Sequence, residues 1–235
     1  MTSRSTDFPG PRRATGARPA RRTIFALSLV LGLALVVGAC SLGTQVSSTL
    51  STVGDPVPGA DGCPTSQPAA LPAGETRTVE IKTAKGTITL KIDGALSPIA
   101  AGNFVALAEC GYYNGVVFHR AATLQDGTPF VIQGGDPTGT GSGGPGYAIQ
   151  DEQVTATYAR GTLAMARSAQ PNSQGSQFFI VLSDASGSIL ASYNTYAIFG
   201  EVTAGMEVAD AIHAAADAEL PTNPIAMDEV TVSNP

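Results

Sequence analysis

The sequence predicts a mainly β domain, an antiparallel barrel with a helix covering each end, behind a long N-terminal extension. Three observations carry this. From about residue 78, short runs of branched and aromatic residues recur, separated by glycine and polar turns. Only two segments, set well apart, have helical apolar spacing. No repeat of roughly 20–50 residues organises the chain, which excludes a solenoid or propeller.

The elements follow in order. Thr78-Val79-Glu80-Ile81-Lys82 and Thr87 to Ile92 alternate apolar with polar residues around Ala84-Lys85-Gly86, which predicts a β-hairpin. Ser97-Pro98 offers an N-cap and a proline at the first helical position. Ile99, Phe104, Val105 and Leu107-Ala108 give a helical face up to Cys110, and Gly111 ends it. Short apolar stretches follow at Val116–Phe118, Phe130–Ile132, Gly161–Met165, Phe178–Leu182 and Tyr196–Val202. Met206 to Ala216 predicts the second helix, and Val230–Val232 a closing strand.

Charge is unevenly distributed. Residues 1–39 hold six arginines against Asp7 alone, so residue 40 onward has 7 basic and 18 acidic residues. A body this acidic excludes nucleic acid as a partner, since neutralising phosphates requires clustered Lys and Arg. The basic residues 1–22 precede an uncharged run at 24–39, the pattern of a secretory signal peptide over residues 1–39. At 16 residues the run is short for a span, which needs roughly 18 or more.

Val37-Gly38-Ala39-Cys40 resembles a bacterial lipobox. The resemblance implies cleavage before Cys40 and lipidation of its sulfur, giving stable anchoring to the membrane. An uncleaved signal anchor is the rival. Arg21-Arg22 fits twin-arginine export, but such pairs are common in leaders, and the route stays open. Residues 40–75, rich in Ser, Thr, Gly, Pro and Ala, are expected to form a flexible tether to a domain at 76–235. Cys63 and Cys110 remain. A disulfide is permitted outside the cytoplasm, and two thiols are the alternative.

Several constellations are bland. Gly139 to Gly144 satisfies G-x-G-x-x-G, but Pro145-Gly146 follows where a dinucleotide site needs a helix, so an exposed loop is expected. His119 and His213 are too few for a zinc site, and no G-x-S-x-G elbow exists. Asp151-Glu152 is expected on a solvated face. Arg120 stands out, because it ends the apolar run Val116–Phe118 and precedes Phe130-Val131-Ile132-Gln133. A lone guanidinium beside apolar groups suits a reaction that breaks no stable covalent bond.

Asn103-Phe104, Gly111-Tyr112-Tyr113, Phe118-His119-Arg120, Ile132 to Asp136, Met165-Ala166, Gly175 to Ile180 and Phe199-Gly200 occur in the order of one family. Residues 78–232 resemble the cyclophilins, peptidyl-prolyl cis–trans isomerases. The resemblance implies a closed eight-stranded antiparallel barrel capped by two α-helices. It implies catalysis by Arg120, with Gln133 orienting arginine and substrate. Phe130, Val131 and Phe179 match the proline pocket, Val131 replacing the usual methionine. Ala166, Arg167 and Gln177 match the groove for the preceding residues, and Tyr196 stands where many members have histidine.

Three departures matter. Ala121 to Pro129 is longer than the family's usual turn and is expected to border the site. Arg167 replaces an asparagine, and its charge is expected to select acidic substrates. The absent tryptophan removes the indole that many members offer to cyclosporin. The resulting expectation is a monomeric, lipid-anchored isomerase on the extracytoplasmic face of the cell membrane. It acts on proline-containing polypeptides and needs neither cofactor nor metal. A non-catalytic proline-binding or chaperone module of the envelope is the alternative.

Overall fold

A computed structural model describes residues 62–234. The expected signal peptide, Cys40 and residues 41–61 of the tether lie outside the described residues. The chain runs β1 (Thr76–Thr83), β2 (Gly86–Asp93), α1 (Pro98–Glu109), β3 (Arg120–Thr123), β4 (Pro129–Gly134), β5 (Thr162–Met165) and β6 (Phe178–Val181). It continues with α2 (Ala185–Tyr193), β7 (Ile198–Ala204), α3 (Met206–Ala214) and β8 (Glu229–Ser233). The expected hairpin is β1–β2, with Thr83 opposite Gly86 across a two-residue turn.

All eight strands join one antiparallel sheet in the order β3-β4-β6-β5-β7-β2-β1-β8. The sheet carries the eight expected strands, but among the described residues no ladder pairs the edge strands β3 and β8. The segments upstream of those edges do meet: Gly115 N–H donates to Met227 O (2.7 Å) and Phe118 N–H to Ile225 O (2.9 Å). The helix count also changes, from two to three. Among the described residues no helix is long and apolar enough to cross a membrane.

Successive side chains of a strand point to opposite faces, and here both faces of the central strands are covered. Phe178 and Ile180 enter the main core with Phe104, Ile132, Leu163 and Phe199, while Phe179 and Val181 enter a second cluster with Val131, Ala164, Leu190 and Ile198. Hence Phe178–Val181 is wholly buried and has no polar alternation.

Helix α1 starts at Pro98 as expected, but Ser97 makes no side-chain cap bond. The Glu152 carboxylate accepts the Ile99 and Ala100 N–H groups, each at 2.9 Å, doing that work from a distant loop. The pair Asp151-Glu152 is therefore structural. Residues 63–75, assigned by composition to the tether, lie on the domain. Leu71 is buried, and its N–H donates to Pro98 O at 2.9 Å. Gly102 explains the fit, since a Cβ there would stand 2.2 Å from Ala69 O. Cys63 and Cys110 form a disulfide across 47 positions, stapling this segment to the end of α1.

His119, just before β3, is buried, and neither ring nitrogen makes a well-aligned hydrogen bond. Burial pushes its pKa below the ordinary histidine value, against the raising effect of nearby Asp136. The folded protein thus binds this proton less readily than the unfolded chain does.

The double variant Cys63→Ser/Cys110→Ser is expected to lose about 2–4 kcal/mol, read as a melting point lower by roughly 5–15 °C. Stability should be full above about pH 6.5 and decline as pH falls below it, through His119 protonation. Thermal melts across pH and a ring titration by NMR check this. A His119 midpoint at or above about 6.5 contradicts it.

Candidate active site

The site is built by strand register. Arg120 of β3 pairs with Gln133 of β4, Gln133 with Phe179 of β6, and Phe179 with Ala164 of β5. Directly opposed residues share a face, so Arg120, Gln133 and Phe179 project side by side on the face carrying the second cluster. Next to this row, Val131 stands between Ala122 and Val181.

Over this face lies a groove of about 350 Å³. Eight of the nine expected residues line it: Arg120, Gln133, Phe130, Val131, Ala166, Arg167, Phe179 and Tyr196. Phe179 forms the floor at 4% exposure, with Tyr196 edge-on at 5.5 Å between ring centres. The ninth, Gln177, lines a neighbouring cavity of about 590 Å³ that shares Gln133, Ala166 and Arg167 with the groove.

A continuous set of hydrogen bonds orients the guanidinium. Arg120 Nη1 donates to Gln133 Oε1 (3.2 Å), and Gln133 Nε2 donates to Gln177 Oε1 (2.9 Å). Gln177 Nε2 donates to the carbonyls of Gly141 and Gly143 at 2.9 and 2.8 Å. That loop is held by the Asp136 carboxylate, which accepts the N–H groups of Thr138, Thr140, Gly141 and Gly143. Burial opposes the charge on Asp136, but these donors and the Thr138 hydroxyl outweigh it and hold its pKa below the usual carboxylate range. The G-x-G-x-x-G hexapeptide thus wraps an anion of its own chain, with the amides of Thr140, Gly141 and Gly143 bonded to it.

Behind the groove, Asn103 Nδ2 donates to Gly175 O (2.7 Å) and Tyr113 Oη to Ser176 O (3.0 Å). These contacts explain why Asn103 and Tyr113 sit far from Gly175–Ile180 in sequence yet belong with it.

Two expectations change. No residue of the 121–129 segment lines the groove. Residues 121–123 continue β3, and 124–128 close a tight turn through Leu124 N–H to Thr128 O (2.8 Å). The turn lies beyond the end of β3 opposite to Arg120, about 10 Å along the strand. Nor is Arg167 free to select acidic substrates. Its Nη1 pairs with Asp151 Oδ2 at 3.1 Å, and its other donors bond the carbonyls of Ser168, Gln170 and Thr195.

Residues missed from sequence are Glu219, Ile189 and Tyr193. Glu219 Oε1 accepts from Arg120 Nε at 2.7 Å, and its carbonyl accepts from Ala121 N–H at 2.8 Å. No local pattern signals a contact spanning 99 positions. Arg120 Nη2 has no protein partner among the described residues and is available to a ligand. No cluster of His, Cys, Asp or Glu among the described residues could hold a metal.

Comparison with known proteins agrees with this geometry. Residues 78–232 match the family described as cyclophilin type peptidyl-prolyl cis-trans isomerase. The chain is 37% identical over 168 residues to peptidyl-prolyl cis-trans isomerase-like 3 of Dictyostelium discoideum, covering 67% of this chain and 97% of that one. It is 37% identical over 183 residues to the probable peptidyl-prolyl cis-trans isomerase A of Mycobacterium leprae, covering 68% and 93%. A crystal structure of a Cryptosporidium parvum cyclophilin type isomerase superposes with a TM-score of 0.59 at 34% identity, covering 68% of this chain and 99% of that one. The same protein in the presence of the dipeptide Ala-Pro gives 0.58. With its Arg120–Gln133–Phe179 row and these relatives, the chain belongs to the cyclophilin-type peptidyl-prolyl cis-trans isomerases.

Proposed function

We propose that this enzyme turns X-Pro bonds of exported, partly folded polypeptides, with Arg120 stabilising the twisted amide. One observation carries the assignment: strand register sets a guanidinium with an unpartnered Nη2 beside an apolar floor. Resonance makes the rotation barrier roughly 18–20 kcal/mol, so uncatalysed X-Pro bonds take tens to hundreds of seconds. Twisting the bond frees the prolyl nitrogen lone pair, which then accepts a hydrogen bond. The proline ring rests on Phe179 between Phe130 and Val131, and Arg120 donates toward that nitrogen or the carbonyl. Gln133 holds the guanidinium in place. Ala166 and the 166–167 backbone, with Gln177, receive the preceding residues. No bond forms or breaks and no proton moves, so an always-charged donor suffices.

The reading extends to location. Residues 1–39 are taken as a cleaved leader and Cys40 as the lipidated first residue of a monomer on the extracytoplasmic face. The basic leader, the short apolar run and the lipobox-like Val37–Cys40 support it. So does the Cys63–Cys110 disulfide, a bond typical of oxidising compartments. The sheet is taken to close as a barrel through the 115–118 and 225–227 segments.

In an isomerisation assay on an Ala-Pro peptide, Arg120→Ala is expected to lower kcat/KM about 10²- to 10³-fold. Unchanged activity would exclude Arg120 as the donor. Expressed in a bacterium, Cys40→Ala should move the protein from the membrane to the soluble fraction. Persistent membrane attachment would favour an uncleaved anchor.

A further inference from the structure

Among the described residues, the large apolar side chains that stand out into solvent are Ile189, Tyr193 and Leu220. Ile189 and Tyr193 are four residues apart on α2 and so share one helix face. Both line the groove with Arg120 and Phe179. Tyr193 also lines a further cavity of about 340 Å³, with Tyr196, Ala169 and Arg167. The rings form a series leading outward. Phe179 meets Tyr196 at 5.5 Å, and Tyr196 meets Tyr193 at 6.3 Å, both edge-on. Exposure rises from 4% at Phe179 to 62% at Tyr193. The arrangement is anchored: Leu190 is buried in the second cluster, and Tyr158 Oη donates to Tyr196 O at 2.8 Å. Paired apolar groups left in water beside a binding groove mark a contact surface.

We infer that Ile189 and Tyr193 form a subsite for a large apolar or aromatic side chain that the substrate carries next to its proline. The inference rests on the isomerase reading of the groove and adds a substrate class: extended, unfolded segments with a bulky apolar neighbour to proline. Continuity decides the occupant. The apolar strip begins where the Phe179 floor ends, so a chain seated on Phe179 carries its neighbouring residue onto Tyr196 and Tyr193. An aromatic ring there gains both burial and edge-on contact. Arg167, the cation nearest this strip, does not favour an acidic neighbour, because it is already paired with Asp151.

The test uses short peptides identical except for Ala, Phe or Glu beside the proline, placed before or after it. Isomerisation is followed by NMR exchange without a coupling protease. The intact protein should turn over a Phe peptide about 5- to 10-fold faster in kcat/KM than the Ala peptide. Ile189→Ser/Tyr193→Ser should bring that ratio within about 2-fold, acting through KM, with melting near wild type. Should the double variant melt early, Tyr193→Ser alone carries the same comparison. Equal turnover of Phe and Ala peptides by wild type, a preference for Glu, or a ratio that survives both variants overturns the inference. Arg120→Ala, run alongside, separates the failures. If it abolishes turnover while the ratio ignores Tyr193, only the subsite is wrong. If it leaves turnover intact, the isomerase reading of the groove falls with it.

Discussion

The site depends on the antiparallel register of β3, β4 and β6. Arg120 opposite Gln133, and Gln133 opposite Phe179, put donor, orienting amide and apolar floor in one row. A one-residue slip would send each to the other face. That face is the main core, where Ala121, Ile132 and Ile180 now lie. Burying an unpaired guanidinium there would cost several kcal/mol. The packing that stabilises the sheet therefore also specifies the alignment of the groove.

Around this row, each charged group near the groove has a defined partner. Asp136 gathers the amides of its own loop, and that loop's carbonyls orient Gln177 and then Gln133. Arg167 is tied to Asp151, and Arg120 to Glu219. The Arg120–Glu219 pair is exposed and contributes little stability, so its consequence is orientation. Donors held in place before a substrate arrives need little reorganisation when the amide twists. The proposed mechanism moves no proton and leaves His119 no chemical task, in keeping with its burial.

Much of this was legible in order along the chain. The β1–β2 hairpin, α1, α3 and β8 follow from alternation, caps and helical spacing, which are local properties. Eight of the nine site residues expected from the resemblance line the groove: Arg120, Val131, Gln133 and Phe179 come to one face by strand register, while Ala166, Arg167 and Tyr196 reach it from outside the strands. Helix α2 was not legible. Its Ala-Ser-Gly-Ser-Ile-Leu-Ala-Ser-Tyr sequence has weak propensity and no amphipathic period. Gly187 weakens it further in isolation, yet a Cβ there would stand 2.3 Å from Tyr158 O. Close packing on the 158 backbone, with Leu190 buried, supports the helix. Strand β3 is not legible because Ala121-Ala122-Thr123 has little β propensity of its own.

The sequence by itself determined the residue types: a permanent cation after an apolar run, an amide and phenylalanines in later strands, and an acidic body behind a basic N-terminal segment. These are written in local order and composition, and no fold is needed to find them. Only the tertiary structure decided which groups meet. It brought Glu219 to Arg120, Glu152 to the start of α1, Asp151 to Arg167 and the 63–75 segment onto α1. These contacts join positions from 16 (Asp151 and Arg167) to 99 (Arg120 and Glu219) apart, which no local pattern links. Packing and the pairing of polar groups in the folded chain select such contacts.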